Sequence, residues 1–359
     1  MLTLHFNSPP IASLDKITQI ETQASLYPFA HFIVSCQTGT LDGSIQRKIG
    51  ILKEDQFQKE EWSAFAIALL TFESLPSLTV LKFKTPFFNE EKIISVLKKS
   101  PALHTLEMAG EKFKNTNLLL EGLGLYCPQL KILNISQSQH IDHQGVKNLA
   151  NCKNLKEVNL SNCLSISDAS IEVIACAAKE NLEALSLFNC PLLTDKALQC
   201  LYVNCLNIKY LNIGYNKMIS SSQINRFISQ CQFLEELFME KIDLNMDKIF
   251  DNVECPNLQK LSLRHTNTTD SDLLILALKA PNLSFLNLSL CRRVSLNGLL
   301  AGIAVLRNLK SLDISDLFTL EEIFVIKNKF PFLKLIPEYE VYAEQESSCI
   351  NSICINGDR

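Results

Sequence analysis

The residues with the most chemical potential in this sequence are its thirteen cysteines. Eight of them are spread singly through the middle of the chain, at Cys127, Cys152, Cys163, Cys190, Cys205, Cys231, Cys255 and Cys291. A structural zinc site needs closely spaced cysteine pairs that converge on one point, and these eight are not paired in that way. We therefore expect them to be buried structural thiols. Cys349 and Cys354 follow near the C-terminus, where no neighbouring group would lower a thiol pKa.

His140-Ile-Asp-His143 is the only cluster of histidine and aspartate. Two imidazoles and a carboxylate on one loop would need further ligands to hold a metal ion. The sequence also lacks a glycine-rich phosphate loop, a Gly-x-Ser-x-Gly elbow and a His-Glu-x-x-His motif. It therefore predicts a protein that is not an enzyme and that holds no metal or cofactor. The least favoured alternative is an enzyme that uses the two C-terminal cysteines.

The elements that position these residues are repeats with a mean length of about 25 residues. Each repeat starts at an apolar anchor, and the anchors are Leu78, Leu103, Leu130, Leu155, Leu182, Ile208, Leu234, Leu258, Leu283, Leu309 and Leu333. A second apolar residue follows each anchor after three positions, and in most repeats a third follows after two more. This alternation predicts a short strand with one buried face.

After the strand, the best repeats continue with Cys-x-x-apolar-Ser/Thr-Asp, as in Cys163–Asp168 and Cys190–Asp195. Ser, Thr and Asp accept hydrogen bonds from the free amides of a first helical turn, so this ending predicts a helix N-terminus. Each unit is thus strand, turn and helix. The predicted fold is of the α/β class, a right-handed solenoid of ten or eleven repeats with a parallel sheet on its concave face and helices on its convex face.

The full pattern Cys-x-x-Leu-x-x-Leu-x-Leu-x-x-Cys-x-x-Ile-Ser/Thr-Asp is clearest from Cys152 to Asp168. It resembles the cysteine-containing class of leucine-rich repeat, which is similar to the repeat arm of F-box/LRR substrate receptors of ubiquitin ligases. The resemblance implies an arm that binds proteins, and the alternative to a binding scaffold that acts alone is a substrate-recognition subunit of a ubiquitin ligase. No F-box is recognisable in residues 1–75, and no catalytic domain follows the repeats. The Lys-, Ile- and Asn-rich composition also fits a bacterial effector that acts on host proteins.

The sequence divides into three regions. Residues 1–75 are predicted to form an N-terminal cap region, since the first repeat of a solenoid would otherwise expose an apolar end. Within it, Ser13–Ala24 reads as a short helix, His31–Cys36 as a strand and Gln56–Leu75 as a firmer helix. Residues 76–337 form the leucine-rich-repeat domain, and residues 338–359 an acidic, Ser/Cys-rich flexible tail. Whether the first fifty residues are a cap or an adaptor-docking module stays open.

The net charge and the distribution of apolar residues argue against several classes of partner. The formal charge of −4 and the pI near 5.9, without a basic stripe, argue against a nucleic-acid partner. The N-terminus lacks the positive start of a signal peptide, and the longest apolar run, Ala64–Phe72, is too short to span a membrane. The thirteen cysteines then indicate the reducing cytosol, or a host's cytosol for an effector. No small-molecule substrate is expected.

The positions that point out of the concave sheet become aromatic and charged in the later repeats. They are Phe188, Tyr210, Glu236, Phe238, Glu240, Lys260, Arg264 and Phe285. Adjacent strands lie about 4.8 Å apart, so these side chains share one surface. Aromatic residues ringed by charge are typical of interface anchors, and we expect an unidentified protein partner to bind here. The alternatives are that single exposed aromatics are ordinary, or that a one-residue register slip turns this face inward.

Overall fold

The computed structural model describes residues 17–24, 30–36, 78–82, 90–108, 115–138 and 140–336. Within these ranges the chain forms a leucine-rich-repeat solenoid, in which short parallel strands of one sheet alternate with helices. The sheet has thirteen strands, of which the eleven repeat strands follow one another in sequence order and two further strands continue the sheet beyond the first repeat. The predicted α/β solenoid is confirmed.

The strands of the repeats are three residues long. They are β3 Val80–Lys82, β4 Thr105–Glu107, β5 Ile132–Asn134, β6 Glu157–Asn159, β7 Ala184–Ser186, β8 Tyr210–Asn212, β9 Glu236–Phe238, β10 Lys260–Ser262, β11 Phe285–Asn287, β12 Ser311–Asp313 and β13 Lys334–Ile336. Each pairs in parallel with the next, and the pairing never slips. The central residues of β3 to β12 are all fully or almost fully buried, and all eleven predicted anchors are buried as well. The predicted register is therefore correct.

The helices follow the strands along the chain. They are α1 Glu90–Lys99, α2 Thr116–Tyr126, α3 His143–Val146, α4 Asp168–Ala178, α5 Asp195–Asn204, α6 Ser221–Gln230, α7 Met246–Ile249, α8 Asp270–Lys279, α9 Leu296–Val305 and α10 Leu320–Lys329. Two of them, α3 and α7, have only four residues, although the repeat pattern predicts a full helix each time. A 3₁₀ segment, Lys147–Asn151, continues α3, whereas the chain after α7 turns through Asn252, whose φ of 53° is left-handed and cannot continue a helix.

The Ser/Thr-Asp pairs do more than cap their own helices. Thr194 is the N-cap of α5, and its backbone N–H and hydroxyl both donate to the carboxylate of Asp168 in the preceding repeat, at 2.8 and 2.7 Å. The same double hydrogen bond joins Ser220 to Asp195 and Ser295 to Asp270. The aspartate of one repeat thus fixes the start of the next helix, which explains why the pair recurs.

Two strands from the N-terminal region extend the sheet. β1 Ile17–Ala24 pairs in parallel with β3, and β2 Ala30–Cys36 pairs antiparallel with β1. The predicted strand at His31–Cys36 is therefore confirmed, but the helix predicted for Ser13–Ala24 is wrong over residues 17–24. β1 is rich in β-branched residues, which favour an extended chain over a helix. The predicted helix Gln56–Leu75 and both predicted domain boundaries lie outside the described residues.

Two glycines of α2 provide a test of the repeat packing. We expect Gly124→Ala to lower the free energy of unfolding by about 2 kcal/mol, because the added methyl group would overlap the backbone carbonyl oxygen of Asn148 in the next repeat. Gly122→Ala is the matched control, since its methyl group would lie 3.3 Å from the movable side chain of Ile94. Urea unfolding followed by circular dichroism measures both. Equal losses of stability in the two variants would contradict the packing described for α2.

Candidate functional site on the concave face

The register places the five predicted binding residues that lie in strands, namely Tyr210, Glu236, Phe238, Lys260 and Phe285, on one face of the sheet. Tyr210, Glu236, Lys260 and Phe285 occupy equivalent positions in β8 to β11 and form a continuous row across four strands. This face is concave because strands lie about 4.8 Å apart whereas packed helices lie 8–10 Å apart, so the stack bends toward its strands. The predicted residues thus share a surface.

Four aromatic side chains of this region form two separate pairs. The rings of Tyr210 and Phe238 lie 5.4 Å apart between centroids, across neighbouring strands. Phe188 packs instead on Tyr215, at 4.7 Å, and the ammonium group of Lys241 lies 4.8 Å above the Tyr215 ring. Stacks of this kind contribute about 0.5–1.5 kcal/mol each beyond the area that they bury. Tyr215 and Lys241 were not predicted, although they extend the aromatic surface to the loops.

The burial of the predicted residues differs from the expectation of an exposed cluster. Phe188, Tyr210 and Glu240 retain only 5, 7 and 3% of their exposure. They are covered because neighbouring strands on a concave face hold their side chains close together. Phe238 and Phe285 are half-buried and remain accessible, as do Glu236, Lys260 and Arg264. A partner would therefore contact these five residues first.

One ion pair crosses the centre of the concave surface. Lys260 Nζ lies 3.0 Å from Glu236 Oε1. Both residues belong to the row that crosses β8 to β11, and Phe238 lies two residues after Glu236 in β9. Both side chains are partly exposed, and pairs of this kind contribute little to stability in water. The pair holds one positive and one negative group at fixed positions beside an aromatic ring. It is better suited to orienting a partner than to stabilising the fold.

Glu240 is the unusual member of the predicted set. Its side chain fills the space left by Gly214, and a methyl group at that glycine would overlap the Glu240 carboxyl and crowd Phe188. Among the described residues, no hydrogen-bond partner reaches Glu240 Oε2. Burial raises the pKa of the Glu240 carboxyl, while the Ser262 hydroxyl and the charge of Arg264 act in the opposite direction. The arrangement favours a neutral carboxylic acid beneath the surface.

The cysteines occupy structural positions. All eight that were singled out are buried, and several thiols donate to a backbone carbonyl of an earlier repeat, as Cys190 does to Leu160 at 3.2 Å and Cys163 to Ile135 at 3.4 Å. Burial raises the pKa of Cys152 to about 11 and that of Cys205 to about 12. These thiols are therefore protonated and poorly nucleophilic. Cys349 and Cys354 lie outside the described residues.

The His140–His143 segment is a helix cap. Asp142 is the N-cap of α3, where its Oδ1 accepts from the backbone N–H groups of Gln144 and Gly145 at 2.8 and 3.2 Å. The same oxygen also accepts from the Asn117 side chain of the preceding repeat, at 2.9 Å. The lone pairs of Asp142 Oδ1 are therefore occupied by these three hydrogen bonds. Within the part of the chain that the structure describes, no group of three or more His, Cys, Asp or Glu residues could hold a metal ion.

No family model matches this chain, and its sequence is partly similar to curated proteins that include two DNA repair proteins of yeasts. The chain is 27% identical to the DNA repair protein rhp7 of Schizosaccharomyces pombe over 171 residues, which is 45% of this chain and 30% of that protein. It is 27% identical to the DNA repair protein RAD7 of Saccharomyces cerevisiae over 144 residues, 38% of this chain and 25% of that protein. The matched region therefore spans less than a third of either relative.

Among solved structures, the crystal structure of a complex of Rad7 and Elc1 from yeast is similar to this chain. The alignment has a TM-score of 0.51 at 19% sequence identity and covers 74% of this chain and 75% of the matched chain. At that level of identity the likeness is one of fold. Among the described residues, no helix is long and apolar enough to cross a membrane.

The raised pKa of Glu240 predicts a pH-dependent stability. A carboxyl group whose pKa is higher in the folded than in the unfolded state stabilises the fold fully below the unfolded pKa, and this stabilisation is lost as the pH rises through the folded pKa. We expect Glu240→Gln, which keeps the neutral shape, to gain stability relative to the wild type as the pH is raised from 4.5 to 8. Glu254→Gln, at an exposed glutamate, is the control. Urea unfolding at several pH values measures the difference, and a difference that does not change with pH would disprove a raised pKa.

Proposed function

We propose that this chain is a non-enzymatic recognition scaffold that binds a protein partner on the concave face of its later repeats. The observation that carries the proposal is the surface formed by Phe238, Phe285, Glu236, Lys260 and Arg264, where accessible aromatic rings adjoin fixed charges of both signs. Interfaces depend on such central aromatic and arginine anchors. The aromatic pairs Tyr210–Phe238 and Phe188–Tyr215 each have one buried member, which restricts the surface, so little side-chain entropy is lost on binding.

The chemistry of the described residues supports a binding role rather than catalysis. The repeat cysteines are buried, and the pKa values that burial raises disfavour the thiolates that a nucleophile requires. Asp142, the one acid of the histidine cluster, is used as a helix cap. We extend the proposal to a cytosolic location, where these thiols would stay reduced.

The comparisons support one specific form of this proposal, a substrate-recognition subunit of a ubiquitin ligase. Both sequence relatives are yeast proteins, which agrees better with this alternative than with a bacterial effector. The similar solved chain belongs to a complex of Rad7 and Elc1. In this form of the proposal, the concave face would bind the substrate, and another part of the chain would bind the adaptor.

Substitution at Phe238 tests the concave surface. We expect Phe238→Asp to weaken partner binding at least tenfold, because it places a charge where an aromatic anchor is desolvated on binding. Phe233→Asp is the matched control, since Phe233 is more than half exposed and precedes β9. The partner is first captured from cytosol by the wild type and identified, and its affinity for each purified variant is then titrated. Circular dichroism verifies the fold, and equal affinities of the two variants would remove Phe238 from the site.

Binding of an adaptor distinguishes the ubiquitin-ligase form of the proposal from a scaffold that acts alone. We expect the full chain to form a stable complex with purified yeast Elc1, and we expect Phe238→Asp to leave this complex intact. Size-exclusion chromatography with light scattering gives the mass of the complex. A chain that stays monomeric with Elc1, yet still binds its concave-face partner, would exclude the ubiquitin-ligase form and leave the scaffold itself supported.

A further inference from the structure

The loops that follow β9, β10 and β11 line an open depression of about 360 Å³ beside the concave face. Its charged and polar lining comes from three successive repeats. These residues are Lys241, Asp243, His265, Thr266, Asn267, Arg292 and Arg293. Because the strands are parallel and in register, loops that are 24–28 residues apart in the sequence meet at this one edge. We call this depression the loop-edge site.

The charge of the loop-edge site is opposite to that of the chain. Lys241, Arg292 and Arg293 supply three permanent positive charges, whereas Asp243 supplies the only carboxylate of the lining. The Asp243 carboxylate accepts a hydrogen bond from the Asn267 amide at 2.7 Å. Both arginines are exposed, and neither forms an ion pair with any described residue. In a chain with a net charge of −4, these two guanidinium groups and Lys241 give the lining of one depression a local excess of positive charge.

The backbone holds this site in a fixed shape. Lys241, His265 and Leu290 adopt left-handed φ values of 53, 56 and 60°. Left-handed conformations are unfavourable for residues other than glycine. Each is held by a hydrogen bond from its own N–H to the next repeat, namely to Arg264 O at 3.0 Å, Ser289 O at 2.8 Å and Ser315 O at 3.3 Å. The loops therefore present their side chains from a rigid frame.

We propose that the loop-edge site binds the phosphate group of a phosphorylated serine or threonine in the protein partner. Arg292 and Arg293 would donate paired N–H groups to the phosphate oxygens, and Lys241 would supply a further positive charge. Guanidinium groups suit this ligand because their planar donor pairs match two phosphate oxygens at once. Clusters of arginine are a recurrent means of recognising phosphorylated segments.

The size of the charged surface favours a phosphorylated protein over a nucleic acid. Nucleic-acid binding commonly depends on many phosphate contacts along a positive stripe. Here three cations lie within three repeats, and Asp243 and Asp316 occupy the same edge. A single phosphate monoester, which carries close to two negative charges, matches this local excess.

The loop-edge site is continuous with the concave surface, so this inference rests on the proposed function. The Lys241 ammonium group lies above Tyr215, which packs on Phe188 at the edge of the concave face. One partner segment could thus contact Phe238 and place a phosphate between the loops. Lys241 would then stay on Tyr215 while its positive charge faces the phosphate.

A phosphopeptide library tests the proposal on the full chain. The probe is a degenerate peptide library with a central phosphoserine, compared with the same library after phosphatase treatment. We expect the wild type to retain the phosphorylated library at least tenfold better, and we expect Arg292→Glu/Arg293→Glu to abolish this preference. Arg226→Glu/Arg307→Glu is the control, because it changes the net charge equally at two exposed arginines outside the site. Circular dichroism verifies that each variant is folded.

Each other outcome overturns the proposal. Equal retention of the two libraries by the wild type, including no retention of either, would exclude phosphate recognition. An equal loss of retention of the phosphorylated library in both double variants would show that binding depends on net charge alone. Tight binding of a random 20-base-pair DNA duplex that depends on Arg292 and Arg293, without a preference for the phosphorylated library, would reassign the site to nucleic acid. If Phe238→Asp still weakens partner binding at least tenfold in any of these cases, the scaffold function stands and only the phosphate site fails.

Discussion

The structure depends on the fact that each repeat buries its apolar face only against its neighbours. Strands that follow one another at about 4.8 Å must carry helices that need 8–10 Å, and this mismatch bends the stack toward its sheet. The central residues of the strands, such as Leu185, Leu211 and Leu237, therefore form an unbroken buried column. A change of register in one strand would expose its leucine and bury a polar neighbour. The same bending crowds the concave side chains and buries Phe188, Tyr210 and Glu240.

Polar side chains at the strand ends add hydrogen bonds to the packing of the buried leucines. At the end of several strands an Asn or Asp accepts a hydrogen bond from the backbone two residues on, as Asn159 does from Ser161 at 2.9 Å and Asn212 from Gly214 at 3.0 Å. The chain then enters a left-handed residue and bonds to the next repeat. Buried amides need such partners, because an unsatisfied group costs about 1–3 kcal/mol. The loops are therefore as regular as the strands, and for this reason a binding site can be built on them.

The sequence contained most of the fold but only part of the candidate site. Buried leucines at a fixed spacing define both the repeat and its register, since no other arrangement keeps all of them out of water. The sequence could also show that Glu236 and Phe238 share a face. It could not show that Phe188 is covered, because burial on a concave surface depends on the distance between side chains of different repeats. Tyr215 and Lys241 were missed because they follow the strand in left-handed positions, where the alternation of faces no longer applies.

The loop-edge site shows the same limit of sequence analysis in another way. Along the sequence Arg292 and Arg293 form only a short basic pair, and the net charge argues against a nucleic-acid partner. Lys241 joins this pair only because the in-register sheet brings equivalent loops to one edge. The repeat of Lys241 also has the one-turn helix α7, which ends at the fully buried Phe250. The concave face and its loops keep their geometry even there, because strand register and loop hydrogen bonds set it. The convex helices can therefore shorten without disturbing the surface that we propose for binding.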